Sequence, residues 1–218
     1  MGLLMPVDLR CYVITSGVAP HVVDVAARAA RAGAGVVQVR AKEVTTREFL
    51  QFTTTVADAV QHANSSTRVV VNDRVDVALA ARDAGAFVHG VHLGQDDMPP
   101  TQARKILGDS ALIGLTTGTL KLVQKAEEQF DVLDYIGAGP FRETPTKSSG
   151  RPPLGVAGYP PLVSATRLPV VAIGDVTMPD VPALVRTGVS GTALVRGVMH
   201  ADSPETVVSS ILREFEMK

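Results

Sequence analysis

Short runs rich in Val and Ile alternate along this chain with Ala-rich stretches whose apolar residues recur at helical spacing, roughly every two dozen residues. Eight runs read as strands: residues 11–15, 36–40, 68–72, 88–93, 111–115, 135–139, 170–174 and 192–195. Each is short, and most of its residues favour extended backbone. The firmest helices are expected over residues 22–32, 46–63, 75–83, 120–130, 180–187 and 204–215. Three of the stretches end alike, in ARAGAG (30–35), ARDAGA (81–86) and VRTGVSG (185–191), where a glycine is available for a left-handed stop before the next strand.

Strands that are apolar over most of their length fit a sheet buried on both faces, and crossover helices demand parallel pairing. The simplest closure of eight such units is a (β/α)₈ TIM barrel of the α/β class. An open doubly wound sheet competes, but its dinucleotide fingerprint would put GxGxxG after the first strand, where this chain has TSGVAPH. The 218 residues are expected to form a single barrel domain over 1–218, with residues 1–9 as an N-terminal extension, because no Pro/Gly/Ser linker or charge block divides them.

Composition narrows the function classes. The 21 Lys and Arg against 22 Asp and Glu, a net charge of −1, give no general attraction to nucleic acid or to an anionic membrane. Low aromatic content and the lack of tryptophan argue against a base-stacking surface. Cys11 is the only cysteine, so no internal disulfide forms, and its place in an apolar run reads as a buried thiol. No run of eighteen apolar residues and no export signal are evident, so the expected partners are small molecules in a reducing cytoplasm. The sequence leaves homo-oligomerisation open.

In a barrel the chemistry sits at the C-terminal rim, which directs attention to polar residues at strand ends. Asp73 closes the apolar run VVVND, and Asp97 follows GVHLGQD. Two acids from different strands on one rim suit Mg²⁺, which takes one or two carboxylates and completes its shell with water and substrate phosphates. Gln38, Arg40 and Lys42 alternate in VQVRAK, so a continuing extended backbone points all three toward the mouth. A lone basic pair reads best as a solvated strand cap. Beside Asn72 and the two acids, however, the two cations suit a diphosphate.

Further along, GAGPFRETPTK (137–147) offers Thr144, Thr146 and Lys147 as phosphate donors, or is an ordinary surface loop running into a lid-like SSGRPPLG (148–155). The ends of strands seven and eight, with Gly174, Asp175, Val195 and Arg196, lie where barrels often bind phosphate. Asp175 would repel an anion unless paired, and Arg196 is either its partner or an anion holder itself. Among the histidines no metal-ligand spacing emerges, and His92 reads as a polar group of the barrel interior.

Taken together, VQVRAK, VNDRVDVAL, GVHLGQDD, YIGAGP with TPTK, and VVAIG resemble the thiamine phosphate synthase family over nearly the whole chain and in the family's order. The resemblance implies a (β/α)₈ barrel transferase with Mg²⁺ as cofactor. It would join hydroxymethylpyrimidine diphosphate to hydroxyethylthiazole phosphate, releasing pyrophosphate through a pyrimidine carbocation captured by the thiazole nitrogen. It further implies that Asp73 and Asp97 bind the metal, that Arg40, Lys42, Asn72 and Lys147 hold the diphosphate, and that Gln38 contacts the pyrimidine. Thr116 stands where the family usually has serine, and Thr144 and Thr146 serve the thiazole phosphate. Arg40, Lys42, Thr116 and Lys147 thus make the implied catalytic set.

Two departures concentrate around the thiazole phosphate. The family's IGG is Ile173, Gly174, Asp175 here, and a small serine on strand eight is replaced by Arg196. They motivate a second reading, a paralogue with a different thiazole ligand. A related tautomerase branch carries a histidine where this chain has Gly118, which counts against that activity. A barrel retained only as a scaffold is a third reading, opposed by the cost of clustering so many charges on one rim without a ligand.

Overall fold

The computed structural model describes residues 7–143 and 150–217. Eight parallel strands close into a barrel in sequence order: β1 Cys11–Ile14, β2 Val36–Val39, β3 Arg68–Asn72, β4 Gly90–Leu93, β5 Leu112–Thr117, β6 Tyr135–Ala138, β7 Val170–Ala172 and β8 Gly191–Leu194. β8 pairs with β1, with Ala193 opposite Tyr12, and this removes both sheet edges. The crossovers are α1 Pro20–Arg31, α2 Thr46–Ala63, α3 Val75–Asp83, α4 Pro100–Leu107, α5 Leu120–Glu127, α6 Tyr159–Ser164, α7 Val181–Arg186, the four-residue α8 Arg196–Met199, and α9 Pro204–Glu216. The expected (β/α)₈ barrel is therefore the observed fold.

Local chemistry explains where the helices start and stop. Pro20, Pro100 and Pro204 occupy first-turn positions, where a missing N–H costs nothing, and Thr45 with Glu48 forms a reciprocal capping box on α2. The three glycine stops do what the sequence suggested: Gly33, Gly85 and Gly188 have φ of 101°, 88° and 92°. Three helices escaped the periodicity, among them the four-residue α8, which is too short to show a period. α4 is eight residues long and buries only Pro100, Ala103 and Leu107, and the six-residue α6 opens with Tyr-Pro-Pro, which reads as a turn.

Two apolar layers hold the barrel. Outward-facing residues such as Val13, Val37, Val71 and Ile113 pack under the helices, and inward-facing Tyr12, Val36, Val70, Leu112 and Val171 fill the lower interior with Leu9. Complete burial of a residue such as Val22 of α1 contributes about 1.5–3 kcal/mol. At the seam between first and last helices, Arg28 of α1 grips Glu205 of α9 through bonds of 2.6 and 2.8 Å.

Strand ends differ from expectation in ways that matter for the site. β2 stops at Val39 because the Thr15 hydroxyl accepts the Arg40 N–H at 2.8 Å and faces its carbonyl at 3.1 Å, drawing that backbone out of the ladder. β8 stops at Leu194, one residue before its expected end at Val195, and Arg196 just beyond opens α8. Val195 is β-branched and reads as strand. The rim turn imposes φ −106° and ψ −83° there, a turn that no glycine or proline announces.

Candidate active site at the barrel mouth

A cavity of about 600 Å³ opens at the C-terminal ends of the strands. Gln38, Arg40, Asn72 and Thr116 reach it from β2, β3 and β5 or the residue just beyond, and Gly174, Asp175, Val195 and Arg196 line the opposite wall. Parallel strands in register bring these together: Ile14 lies opposite Gln38, and Asn72 opposite His92.

The cavity floor is a chain of five side chains from five strands. Gln38 donates its amide N–H to the Tyr12 hydroxyl at 2.8 Å, the Tyr12 and Tyr135 hydroxyls lie 2.8 Å apart, Tyr135 meets His92 Nδ1 at 3.0 Å, and His92 Nε2 meets the Thr116 hydroxyl at 2.9 Å. Burial raises the pKa of both phenols above the tyrosine range, so each keeps its proton. With a neutral imidazole, the proton order then runs one way. Tyr12 donates to Tyr135, Tyr135 to Nδ1, and Nε2–H to Thr116, whose own proton is left for the cavity.

Room for this chain comes from Gly114 of β5. A Cβ there would stand 2.2 Å from Tyr135 Cζ and 2.6 Å from His92 Nδ1. The inward position on the neighbouring strand is also glycine, Gly137, where a Cβ would approach His92 Cε1 to 3.1 Å.

The two acids sit on adjacent strand ends. Asp73 follows β3 in a left-handed conformation, φ 63°, with its N–H donating to the His92 carbonyl at 2.9 Å. Asp97 folds back so that its Oδ2 accepts the Gly94 N–H at 2.6 Å at the end of β4. Burial lowers the Arg40 pKa while the Asp73 carboxylate opposes that shift, which puts the acid within electrostatic reach of the cavity. Among the described residues no cluster of three or more His, Cys, Asp or Glu could hold a metal by itself. Two hard oxygen donors on one rim nonetheless fit Mg²⁺, which draws the rest of its shell from phosphate and water.

On the far wall Arg196 forms an ion pair with Asp175. Asp175 has φ 57°, and its carbonyl accepts from Arg142 Nη1 at 2.7 Å. Arg142 Nη2 in turn pairs with Asp180 at 2.6 Å, and Asp180 accepts the Thr177 N–H and hydroxyl at 2.8 and 2.6 Å. Although burial opposes it, the bonds from Arg142 and Thr177 hold Asp180 below the usual carboxylate range.

Comparison with known proteins follows the same lines. A family model described as thiamine monophosphate synthase matches residues 11–198. The thiamine-phosphate synthase of Corynebacterium jeikeium is 59% identical over 210 residues, covering 95% of each chain, and that of Corynebacterium efficiens is 57% identical over 209 residues, again 95% of each. The chain belongs to the thiamine monophosphate synthase family. It is accordingly an enzyme of the transferase class. Among solved structures, a thiamine phosphate pyrophosphorylase from Pyrococcus furiosus superimposes with a TM-score of 0.82 at 30% identity, covering 97% of this chain and 98% of that one.

Within this thiamine monophosphate synthase fold, several expected residues fall elsewhere than the alternation suggested. Lys42 does not line the cavity, because β2 ends at Val39 and the backbone beyond Arg40 no longer alternates. Neither Asp73, just past β3 and within electrostatic reach of Arg40, nor Asp97, in the turn after β4, is among the cavity's lining residues. Thr144, Thr146 and Lys147 lie outside the described residues. Sequence reading missed Tyr12 and Tyr135 altogether. Their one signal is a tyrosine inside an apolar strand, since a buried phenol needs a partner for its hydroxyl. Arg142 and Arg151 were also missed, and Arg151, which lines the cavity, donates to the Thr117 carbonyl at 2.9 Å.

Proposed function

We propose that this chain couples hydroxymethylpyrimidine diphosphate with hydroxyethylthiazole phosphate to give thiamine phosphate and pyrophosphate. The observation that carries the proposal is the convergence of Gln38, Arg40, Asn72 and Thr116 on one cavity beside Asp73 in a member of this family. The pyrimidine is proposed to lie over the Gln38 side with its methylene near Thr116. Departure of pyrophosphate breaks the methylene C–O bond, leaving a carbocation stabilised by the ring amino group, and the thiazole nitrogen then forms the new C–N bond. Arg40, Asn72 and Lys147 hold the diphosphate and offset its growing charge, and the Thr116 proton is directed at it. Thr144 and Thr146 are assigned to the thiazole phosphate.

Asp73 and Asp97 would hold Mg²⁺, which supplies charge neutralisation to the leaving group when bound. The remaining contribution is positioning: two substrates held in one cavity react as a unimolecular pair. Burial pushes the Cys11 thiol up to about 12, which makes it inert and suits the reducing cytoplasm in which we place the reaction. No helix among the described residues is long and apolar enough to cross a membrane.

The test mixes purified protein, pyrimidine diphosphate, Mg²⁺ and thiazole phosphate and quantifies thiamine phosphate and pyrophosphate chromatographically. Stoichiometric formation of both is expected, with Asp73→Asn or Asp97→Asn lowering turnover by about a hundredfold or more. No product, under conditions where another member of the family reacts, refutes the proposal.

A further inference from the structure

The wall opposite the acids carries a charge arrangement that the proposed reaction does not yet use. Asp175 is a fixed carboxylate. Its carbonyl is gripped by Arg142, which is itself anchored on Asp180, and only 21% of its side chain is exposed. Arg196 is the freer member of the pair, with 47% of its side chain exposed and, among the described residues, a single bond to Asp175 Oδ1. The other guanidinium groups lining the cavity are engaged elsewhere, Arg151 with the Thr117 carbonyl and Arg40 beside Asp73.

We infer that Arg196 and Asp175 form an exchangeable ion pair that selects the charge of the second substrate. An acidic substituent takes Arg196 away from Asp175, so Arg196 favours a phosphorylated thiazole and Asp175 restrains it. This rests on the reaction proposed above and names the feature that sets its substrate class. A guanidinium presents a planar fork to phosphate oxygens, and a phosphate carries nearly two negative charges against one on the carboxylate, so the exchange runs toward the substrate. Its gain is reduced because Arg196 must leave a carboxylate that stays in place and repels the incoming anion. A neutral thiazole alcohol gains nothing from Arg196 and leaves the pair undisturbed.

The signs of two substitutions follow. Asp175→Asn removes the competing charge while keeping a residue that tolerates φ near +57°, and Arg196→Gln removes the cation. The experiment measures kcat/KM for thiazole phosphate and for thiazole alcohol in the wild type, both variants and the double variant, at saturating pyrimidine diphosphate and Mg²⁺. The ratio of the two values is expected to rise about fivefold in Asp175→Asn, mainly through KM of the phosphorylated substrate, and to fall about tenfold or more in Arg196→Gln. The double variant should fall between Arg196→Gln and the wild type, because removing Asp175 still relieves its direct repulsion of the phosphate but no longer releases a competing cation.

A pair that merely ties β7 to α8 would change both substrates together and leave the ratio unmoved. A ratio unchanged within about twofold in both single variants, with the wild type turning over, overturns the inference alone. Absence of turnover in the wild type with either thiazole overturns the proposed reaction, and the inference with it. Should Asp175→Asn fail to fold, Asp175→Gly suits the same left-handed backbone and carries the same expected sign.

Discussion

Gly114 shows how much one residue decides at this site. Its missing Cβ makes space for the Tyr135 ring and the His92 imidazole, and Gly114→Ala would force both aside. The expected cost is about 1–3 kcal/mol from overpacking, read as a lowered urea midpoint. Tyr135→Phe tests the chain itself. It deprives the Tyr12 hydroxyl and His92 Nδ1 of a buried partner, which should cost about 1–3 kcal/mol and free the imidazole to present either tautomer to Thr116. If Thr116 is oriented by this chain, Tyr135→Phe slows kcat by about tenfold with KM for thiazole phosphate little changed. An unaltered kcat in a destabilised but folded variant would restrict the chain to a structural role.

At the scale of elements, the short helices depend on side chains that reach across to backbone. α4 buries little of its own surface, yet Arg104 donates to the Ala111 and Val132 carbonyls and to Asp134, whose Oδ2 also receives the Ile113 N–H at 2.7 Å. One guanidinium thereby fastens α4 to the segments leading into β5 and β6. Arg104→Met keeps most of the apolar stem but leaves those acceptors without their donor, and a loss of about 2–4 kcal/mol is expected by chemical denaturation. A loss below about 0.5 kcal/mol would mean that water replaces the contacts. None of this was legible in the octapeptide PTQARKIL, whose pattern is too short to show a period. The long amphipathic α2 and the Ala-rich α1 and α3 were legible, because burial against the barrel imposes a sustained apolar face.

For the whole molecule, the barrel end opposite the site carries a pH liability. His89 precedes β4, and its Nδ1 accepts the Val69 N–H at 3.0 Å, which requires the neutral ring. Burial, with smaller contributions from Arg68 and Arg82, lowers its pKa from 6.5 to about 4. A folded pKa below the unfolded one means that the unfolded chain takes up the proton first. The stabilisation is therefore complete above about 6.5 and is lost as pH falls through about 4. Because the ring is partly exposed, the effect is on the order of 1–2 kcal/mol. His89→Gln, which can still accept from Val69, should flatten the decline of the melting temperature between those pH values. An identical decline in the variant would assign the acid sensitivity to other groups.

Alternating Val-rich runs and Ala-rich helical stretches determined the architecture by themselves, since eight parallel apolar strands with crossover helices have few ways to bury both faces. The strand-end residues Arg40, Asn72, Asp73 and Asp97 were likewise readable, because a barrel places every strand's last residue on one rim. Only the tertiary structure decided which side chains meet. Tyr12, Gln38, His92, Thr116 and Tyr135 are up to 123 residues apart, and their contact depends on the stagger of neighbouring strands, which hydrophobic periodicity does not encode. The same holds for the exit of Arg40 from β2 and for the pairing of Arg196 with Asp175 across two strand ends. A local pattern reports which face of an element is buried. The partner across the barrel is chosen by closure, register and the space left by a glycine.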